Sequence, residues 1–380
     1  MTLQQQVTEE FRRRYGAEAT LVVRAPGRVN LIGEHTDYND GYVMPLAIDR
    51  AVWIAARPRT DGYVTLYSLD FEQMAEFSLE EIIKRENLWV EYVQGVAWAL
   101  QEDGHTLQGW DGVIAGDVPI GAGLSSSAAL ELAAARTFCA VAGIEWNAPE
   151  MAKLCQRVEN QWIGVNSGIM DQMISATGVK DHAVLIDCRW LHLDAVPLPP
   201  ETSIVVLDTA TRRELVTSAY NERREQCETA ARFFNVPALR DVTLAQLEAV
   251  VDLLDDVVYR RARHIVTENQ RTLDAAYAMR LGDATTLGRL MNESHSSLRD
   301  DFEVSSEALN LIVECAREHA ACYGSRMTGG GFGGCAIALI RAEAAEDFAQ
   351  TVAASYQQRS GRTPAVYVCQ ATDGAAVVSE

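Results

Sequence analysis

Residues 27–41 read GRVNLIGEHTDYNDG, and few elements of regular structure can absorb such a string. Arg28, Glu34, His35 and Asp37 fall within ten residues, between glycines at 27, 33 and 41. A buried strand cannot carry them unless each finds a partner, since an unpaired polar group costs about 1–3 kcal/mol, and a charged one more. Val29, Leu31 and Ile32 are interleaved with the polar positions. That suggests a strand end whose side chains converge on a cleft. A polar β-turn with a capping role is the plainer alternative. A cleft of mixed donors and acceptors suits a polyhydroxylated ligand, because each hydroxyl both gives and accepts a hydrogen bond.

A chain of 380 residues suggests about two domains. Its 48% apolar and 23% charged residues are ordinary for a globular protein. The formal charge of −20 argues against nucleic acid or an anionic membrane as the main partner. It is neutral towards a sugar, and it requires any anion site to be a local pocket of amides or cations. The eight cysteines stand singly, with no CxxC pair and no metal spacing with histidine. Buried free thiols in a reducing compartment account for them. The N-terminus lacks a signal-peptide core, and no run approaches the ~18 apolar residues of a membrane span. A cytoplasmic monomer is expected.

The periodicity predicts helices over 7–15, 91–104, 125–143 and 149–162, with strands at 19–24, 183–188 and 204–209 and a strand running into a glycine-rich turn over 110–123. Asp61-Gly62 between 51–57 and 63–68 reads as a hairpin signal. Helical stretches dominate from about 213 to 320, and strands at 335–340 and 365–369 flank a last helix. This shift, with PLPP at 197–200, places the division into 1–190 and 191–380. The residues by themselves support mixed α and β in two domains.

Three further segments bear on chemistry. GAGLSSSA at 121–128 joins a strand end to a helix start. Glycines allow close backbone approach, and a helix N-terminus offers free N–H groups to an anion. A serine N-cap after a tight turn is the alternative. The segment lacks the lysine of a Walker loop and the third glycine of a dinucleotide fingerprint. SGIMDQ at 167–172 sets Asp171 among apolar neighbours, as a buried cap or a functional carboxylate. MTGGGFGGC at 327–335 is either a flexible inter-strand turn or a loop that must approach something closely.

The string at 27–41 resembles the signature of the galactokinases. GAGLSSSA and MTGGGFGGC resemble motifs of the wider family of galacto-, homoserine, mevalonate and phosphomevalonate kinases, in the same order. SGIMDQ resembles a segment particular to galactokinases. The resemblance implies an α+β fold of two domains, a ribosomal-protein-like β/α domain followed by a ferredoxin-like one, with the active site between them. It implies transfer of the γ-phosphoryl of ATP to the C1 hydroxyl of D-galactose, giving galactose 1-phosphate. By the same resemblance Asp171 accepts the hydroxyl proton and Arg28 stabilises the transferring charge. Glu34, His35, Thr36, Asp37 and Tyr220 would hold the sugar. Gly121, Ala122, Gly123, Leu124, Ser125, Ser126 and Ser127, with Gly329, Gly330 and Gly331, would hold ATP. Ser127 and Glu159 would hold Mg2+; on residue type alone Glu159 is a solvated helix glutamate and Tyr220 a packing aromatic. Trp89 and Trp98 are either adenine-pocket or core residues. The alternatives are a kinase for a related sugar such as N-acetylgalactosamine, or a sensor that binds sugar and ATP without catalysis.

Overall fold

The strand that leads into the 27–41 segment runs Leu21–Asn30 and pairs antiparallel with Pro45–Pro58. Its register shifts between Pro26 and Arg28. Proline cannot donate to a ladder, so a bulge is the natural place for it, and the shift re-aims Arg28. The computed structural model describes residues 1–84, 89–211 and 216–378. Around this strand lies a six-stranded sheet in the order 376–378, 21–30, 45–58, 110–116, 63–68, 73–78. Its pairs are antiparallel except that of Trp110–Gly116 with Tyr63–Ser68. The helix Leu3–Tyr15, closed at its start by a Thr2–Gln5 capping box, buries Val7 and Phe11 against Ala55, Val113 and Ala115. The helices Val90–Glu102, Ser126–Ala142, Ala148–Arg157 and Met170–Thr177 share one large core with this sheet.

The hairpin expected around Asp61-Gly62 does not form. The turn is there, with Gly62 at φ +71°. The two strands it joins are separated by Trp110–Gly116, which pairs with both. Glycine makes room for the inserted strand: a Cβ on Gly109 would stand 2.3 Å from the Tyr63 carbonyl oxygen. The insertion buries Trp110 completely, edge-on to Phe138 at 5.4 Å. Removing on the order of 200 Å² of aromatic surface from water outweighs what the local turn offers a two-stranded ribbon.

A second sheet has the order 322–327, 335–341, 202–208, 365–369, antiparallel throughout. The helices Val216–Phe233, Leu244–Glu248, Asp256–Arg280, Ala284–Asp300, Glu307–Arg317 and Ala345–Ser360 accompany it. The expected start of the first of these, at 213–215, lies outside the described residues. A small third sheet joins Tyr42–Val43, His182–Asp187 and His192–Pro197. The sheets do not part where the sequence division at 190/191 does. His182–Asp187 and His192–Pro197 pair across it, and Ala376–Val378 returns to the first sheet beside Val22–Arg24. Among the described residues, no helix is long and apolar enough to cross a membrane.

The helix Ala284–Asp300 lies backbone-to-backbone on the strand Cys322–Met327. A Cβ on Gly288 would meet the Tyr323 carbonyl at 2.3 Å, and one on Gly324 would meet the Gly288 carbonyl oxygen at 2.0 Å. Gly288→Ala should therefore destabilise by about 1–3 kcal/mol, more than the ~1 kcal/mol alanine gains within a helix. A thermal midpoint equal to the parent's would contradict this contact.

Candidate active site

Arg28 and Asp171, 143 residues apart, meet at the floor of a cleft of about 610 Å³. Arg28 Nε donates to Asp171 Oδ1 at 2.8 Å and Nη2 donates to Oδ2 at 2.7 Å. The guanidinium is buried, and its Nη1 donates to the Gly123 carbonyl at 2.7 Å. Burial alone would lower the Arg28 pKa; the adjoining Asp171 outweighs it and raises it. A two-pronged pair of this kind fixes direction as well as charge. Asp171 lies in the first turn of the helix Met170–Thr177, where a carboxylate is favoured, and stays 30% exposed to the cleft.

Ser125 also donates a hydrogen bond to Asp171. It sits at φ +59°, a left-handed conformation that a serine rarely adopts, directly before the helix Ser126–Ala142. Its side chain is thus turned to Asp171 and does not cap the helix. Among the described residues no side chain caps the opening turn of this 17-residue helix, whose Ser126 and Ser127 line the cleft beside Gly121 and Gly123. Gly121 at φ +70° and Gly123 at φ +82° make the turn that brings the backbone there. The result is a site for an anion, formed by amides and helix dipole.

Ser127 Oγ donates to Glu159 Oε1 at 2.7 Å. The helix expected over 149–162 changes register on the way: it is α-helical over Ala148–Arg157 and then widens to a π turn over Val158–Ile163. Such a turn is found mostly at functional sites. Here it delivers Glu159 into the cleft as a buried carboxylate, not a solvated one. Burial pushes the Glu159 pKa up, opposed by the hydrogen bond from Ser127. Two oxygens beside a phosphate-sized anion site fit Mg2+, which takes few protein ligands and completes its shell with phosphates and water.

The opposite wall is the 33–41 segment. Gly33 at φ +95° and His35 at φ +63° turn the chain back. Glu34 is almost fully buried, accepting from the Gly329 N–H at 2.6 Å and from the Thr328 hydroxyl at 3.2 Å. Burial raises its pKa, against the pull of Arg326 and Arg28. Asp37 is pushed up to about 7, by burial first and by the Asp171 charge second. Only a glycine fits at 168, because a Cβ there would stand 1.7 Å from Asp37 Oδ2. His35 Nδ1 lies 2.9 Å from the Tyr38 hydroxyl. The ring of Tyr220 packs 5.5 Å from that of His35, so this aromatic lines the cleft.

Most of the expected site residues thus converge, with some departures. The Thr36 hydroxyl is buried between the Gly33 and Tyr42 carbonyls, where it ties the loop together and does not face a ligand. Ala122 and Leu124 bury their side chains in the core. Gly329 and Gly330 line the cleft, whereas Gly331 packs on Val304, whose carbonyl oxygen would lie 2.2 Å from a Cβ. Trp89 stacks on Phe71, and Trp98 packs on Trp162 with the rings tilted by 32°; Tyr92 lines the cleft instead. The sequence reading missed the residues that support the loop from behind. Glu268 accepts from the Gly33 N–H at 3.0 Å, and Asn269 from the Tyr42 N–H at 2.9 Å. His264 Nε2 lies 3.1 Å from the Glu34 carbonyl oxygen. A signal for them exists: Arg261, His264, Glu268 and Thr272 form a buried polar stripe at helical spacing on Asp256–Arg280.

A family model described as the galactokinase galactose-binding signature matches residues 9–58. Models for the N-terminal and C-terminal domains of GHMP kinases match residues 91–179 and 275–358. A galactokinase of Roseiflexus sp. (strain RS-1) is 50% identical over 374 residues, spanning 97% of this chain and 96% of its own. The crystal structure of Lactococcus lactis galactokinase complexed with galactose has a TM-score of 0.95 at 37% identity, covering 99% of this chain and 100% of that one. The mevalonate kinase of Methanococcus jannaschii has a TM-score of 0.67 at 18% identity, covering 93% of this chain and 98% of its own, a likeness of fold alone.

The support behind the loop is testable. Burial would raise the Glu268 pKa, but Arg271 foremost, with His264 and Arg326, holds it down to about 2. A carboxyl lowered on folding stabilises above its unfolded pKa, and that stability is lost as pH falls through about 4.5 towards 2. Glu268→Gln should cost about 1–3 kcal/mol at neutral pH, by taking the ionic partner from the half-buried Arg271. It should also flatten the fall in stability between those pH values. Denaturant titrations at pH 7 and pH 3 that show the same difference between variant and parent would contradict the ion pair.

Proposed function

This chain belongs to the galactokinases, within the GHMP kinase family, and on that premise we propose how its cleft performs the reaction. The enzyme is an ATP-dependent sugar kinase that phosphorylates galactose. In our reading galactose lies between the 33–37 loop and Tyr220, with its C1 hydroxyl at Asp171. The triphosphate lies over the uncapped opening of the helix Ser126–Ala142, with Gly329 and Gly330 on its other side. The sugar C1 oxygen attacks the γ-phosphorus. Its proton passes to the Asp171 carboxylate, and the bond between the γ-phosphorus and the bridging oxygen breaks, its electron pair leaving with ADP.

The observation that carries this reading is the two-pronged Arg28–Asp171 pair, which lines one cleft together with Glu34, Asp37 and Tyr220 and with Ser126, Ser127 and Gly329. Asp171 already accepts from Arg28 and Ser125, so it orients the hydroxyl at least as much as it removes the proton. Arg28 holds that orientation and places positive charge beside the transferring group. Phosphoryl transfer depends mainly on such positioning and charge stabilisation. Ser127 and Glu159 would hold Mg2+, which neutralises phosphate charge when bound. Glu34 and Asp37 accept from vicinal hydroxyls, each charged hydrogen bond being worth roughly 1.5–3 kcal/mol. An epimer that misplaces one hydroxyl leaves such a buried group unpaired, which gives selectivity. Most of the eight cysteines are buried, which suits a reducing cytoplasm.

Asp171→Asn should leave galactose affinity, measured by calorimetry, near the parent's and lower turnover by on the order of 10²–10⁴-fold. Near-normal turnover would remove the proton-acceptor role. Arg28→Ala should likewise act on kcat, through lost charge stabilisation; a change confined to galactose affinity would contradict its assignment. ADP release measured across a panel of monosaccharides tests the substrate. Strong turnover of another sugar with none on galactose overturns it.

A further inference from the structure

The π turn that presents Glu159 is held from behind by one face of the helix Val90–Glu102. Glu91, Gly95 and Trp98 stand at helical spacing on that face. A glycine weakens the middle of a helix, and here it opens a notch. A Cβ on Gly95 would stand 2.5 Å from Val158 Cγ1 and 2.9 Å from Trp162 Cδ1. Trp162 lies across the notch. Its indole N–H donates to the buried Glu91 carboxylate at 2.9 Å, and its ring packs on that of Trp98 at 5.4 Å. Lys84 Nζ donates to the Trp162 carbonyl oxygen, one of those that a helix end leaves without an internal partner.

The same helix holds the chain just before its register changes. Arg157, the last residue of the α-helical part, donates from Nη2 to the Ala99 carbonyl at 2.9 Å and pairs with Asp103 at 2.8 Å. Glu159 therefore lies between two anchors, Arg157 and Trp162, and its immediate neighbour Val158 fills the notch. The turn closes with the N–H groups of Gly164 and Val165 both donating to the Glu159 carbonyl, at 2.8 and 2.9 Å. We propose that the Gly95 notch and the Glu91–Trp162 hydrogen bond set the affinity of the site for Mg2+, by fixing the π turn that points Glu159 at Ser127. Gly95, Glu91 and Trp162 are positioning residues: none of them lines the cleft. They act through the Glu159 carboxylate, which meets Ser127 Oγ at 2.7 Å. Mg2+ demands near-ideal geometry of its few protein oxygens, so what orients a ligand from behind bears on affinity. The inference rests on the assignment of Ser127 and Glu159 to the metal.

Calorimetric binding of ADP, with Mg2+ and with EDTA in its place, isolates the metal's share of nucleotide affinity. Gly95→Ala should weaken binding of MgADP by on the order of 10–100-fold. Trp162→Phe keeps an aromatic ring but loses the N–H, and should weaken it by about 10-fold. In both variants ADP in EDTA, and galactose, should bind as they do in the parent. Glu91→Gln keeps an acceptor for the indole and should bind MgADP as the parent does, whereas Glu91→Leu should behave like Trp162→Phe. Equal losses with and without Mg2+, parent-like MgADP affinity in Gly95→Ala and Trp162→Phe, or equal damage by Glu91→Gln and Glu91→Leu would each overturn the proposal. Should Gly95→Ala fail to fold, Trp162→Phe and the two Glu91 variants still decide. Glu159→Gln keeps the two possible failures apart. If it leaves the metal's share intact, the assignment of the metal is wrong. If it removes that share while Gly95→Ala and Trp162→Phe retain it, the metal assignment stands and the notch has no part in it.

Discussion

A short loop, residues 31–36, is buried along its whole length where the two halves of the molecule meet. Backbone N–H and C=O groups cannot be buried without partners, and a loop supplies few of its own. The partners come from elsewhere: Glu268 for the Gly33 N–H, His264 for the Glu34 carbonyl, and the Gly329 N–H for the Glu34 carboxylate. Arg326, also fully buried, donates to the Asn30 carbonyl at 3.0 Å. These contacts run over more than two hundred residues of sequence. The cleft exists because this loop is satisfied only when the halves are together.

That constraint has an electrostatic consequence. A chain with a formal charge of −20 must still attract a nucleotide triphosphate and orient a sugar. It does so with local fields that the net charge does not describe. The start of one helix at the cleft and the buried Arg28 guanidinium are the positive features, and the low dielectric around Arg28 strengthens its field. The carboxylates around them are buried as well, so Asp37, Glu159 and Glu131 all have raised pKa values. Charge in this cleft is set by who faces whom.

Much of this was legible beforehand, and for physical reasons. Val29, Leu31 and Ile32 mixed with Arg28 and Glu34 suggested a strand end at a cleft over the plainer polar turn, and all of them are buried there. The glycines at 121 and 123 before a serine run signalled a turn into a helix start, and they have the positive φ angles that such a turn requires. What failed were statements that depend on non-local competition. Asp61-Gly62 turns as expected, but the strand between its arms comes from residues 110–116. Thr36 stands in the right segment with its hydroxyl spent on the loop. Glu159 is a solvated helix glutamate on residue type alone, and only the resemblance assigns it to the site; the π turn Val158–Ile163 is what brings it to the cleft.

The sequence by itself determined the local grammar: where helices open, where glycine permits a tight approach, which segments hold chemistry, and which family they resemble. These follow from short-range sterics and side-chain type, and both are properties of neighbouring residues. Only the tertiary structure decided which polar groups meet. Arg28 found Asp171, Glu268 found Gly33 and Glu131 found Gln172 because burial forces each group to seek a partner wherever the packed chain provides one, and sequence spacing carries no record of that search.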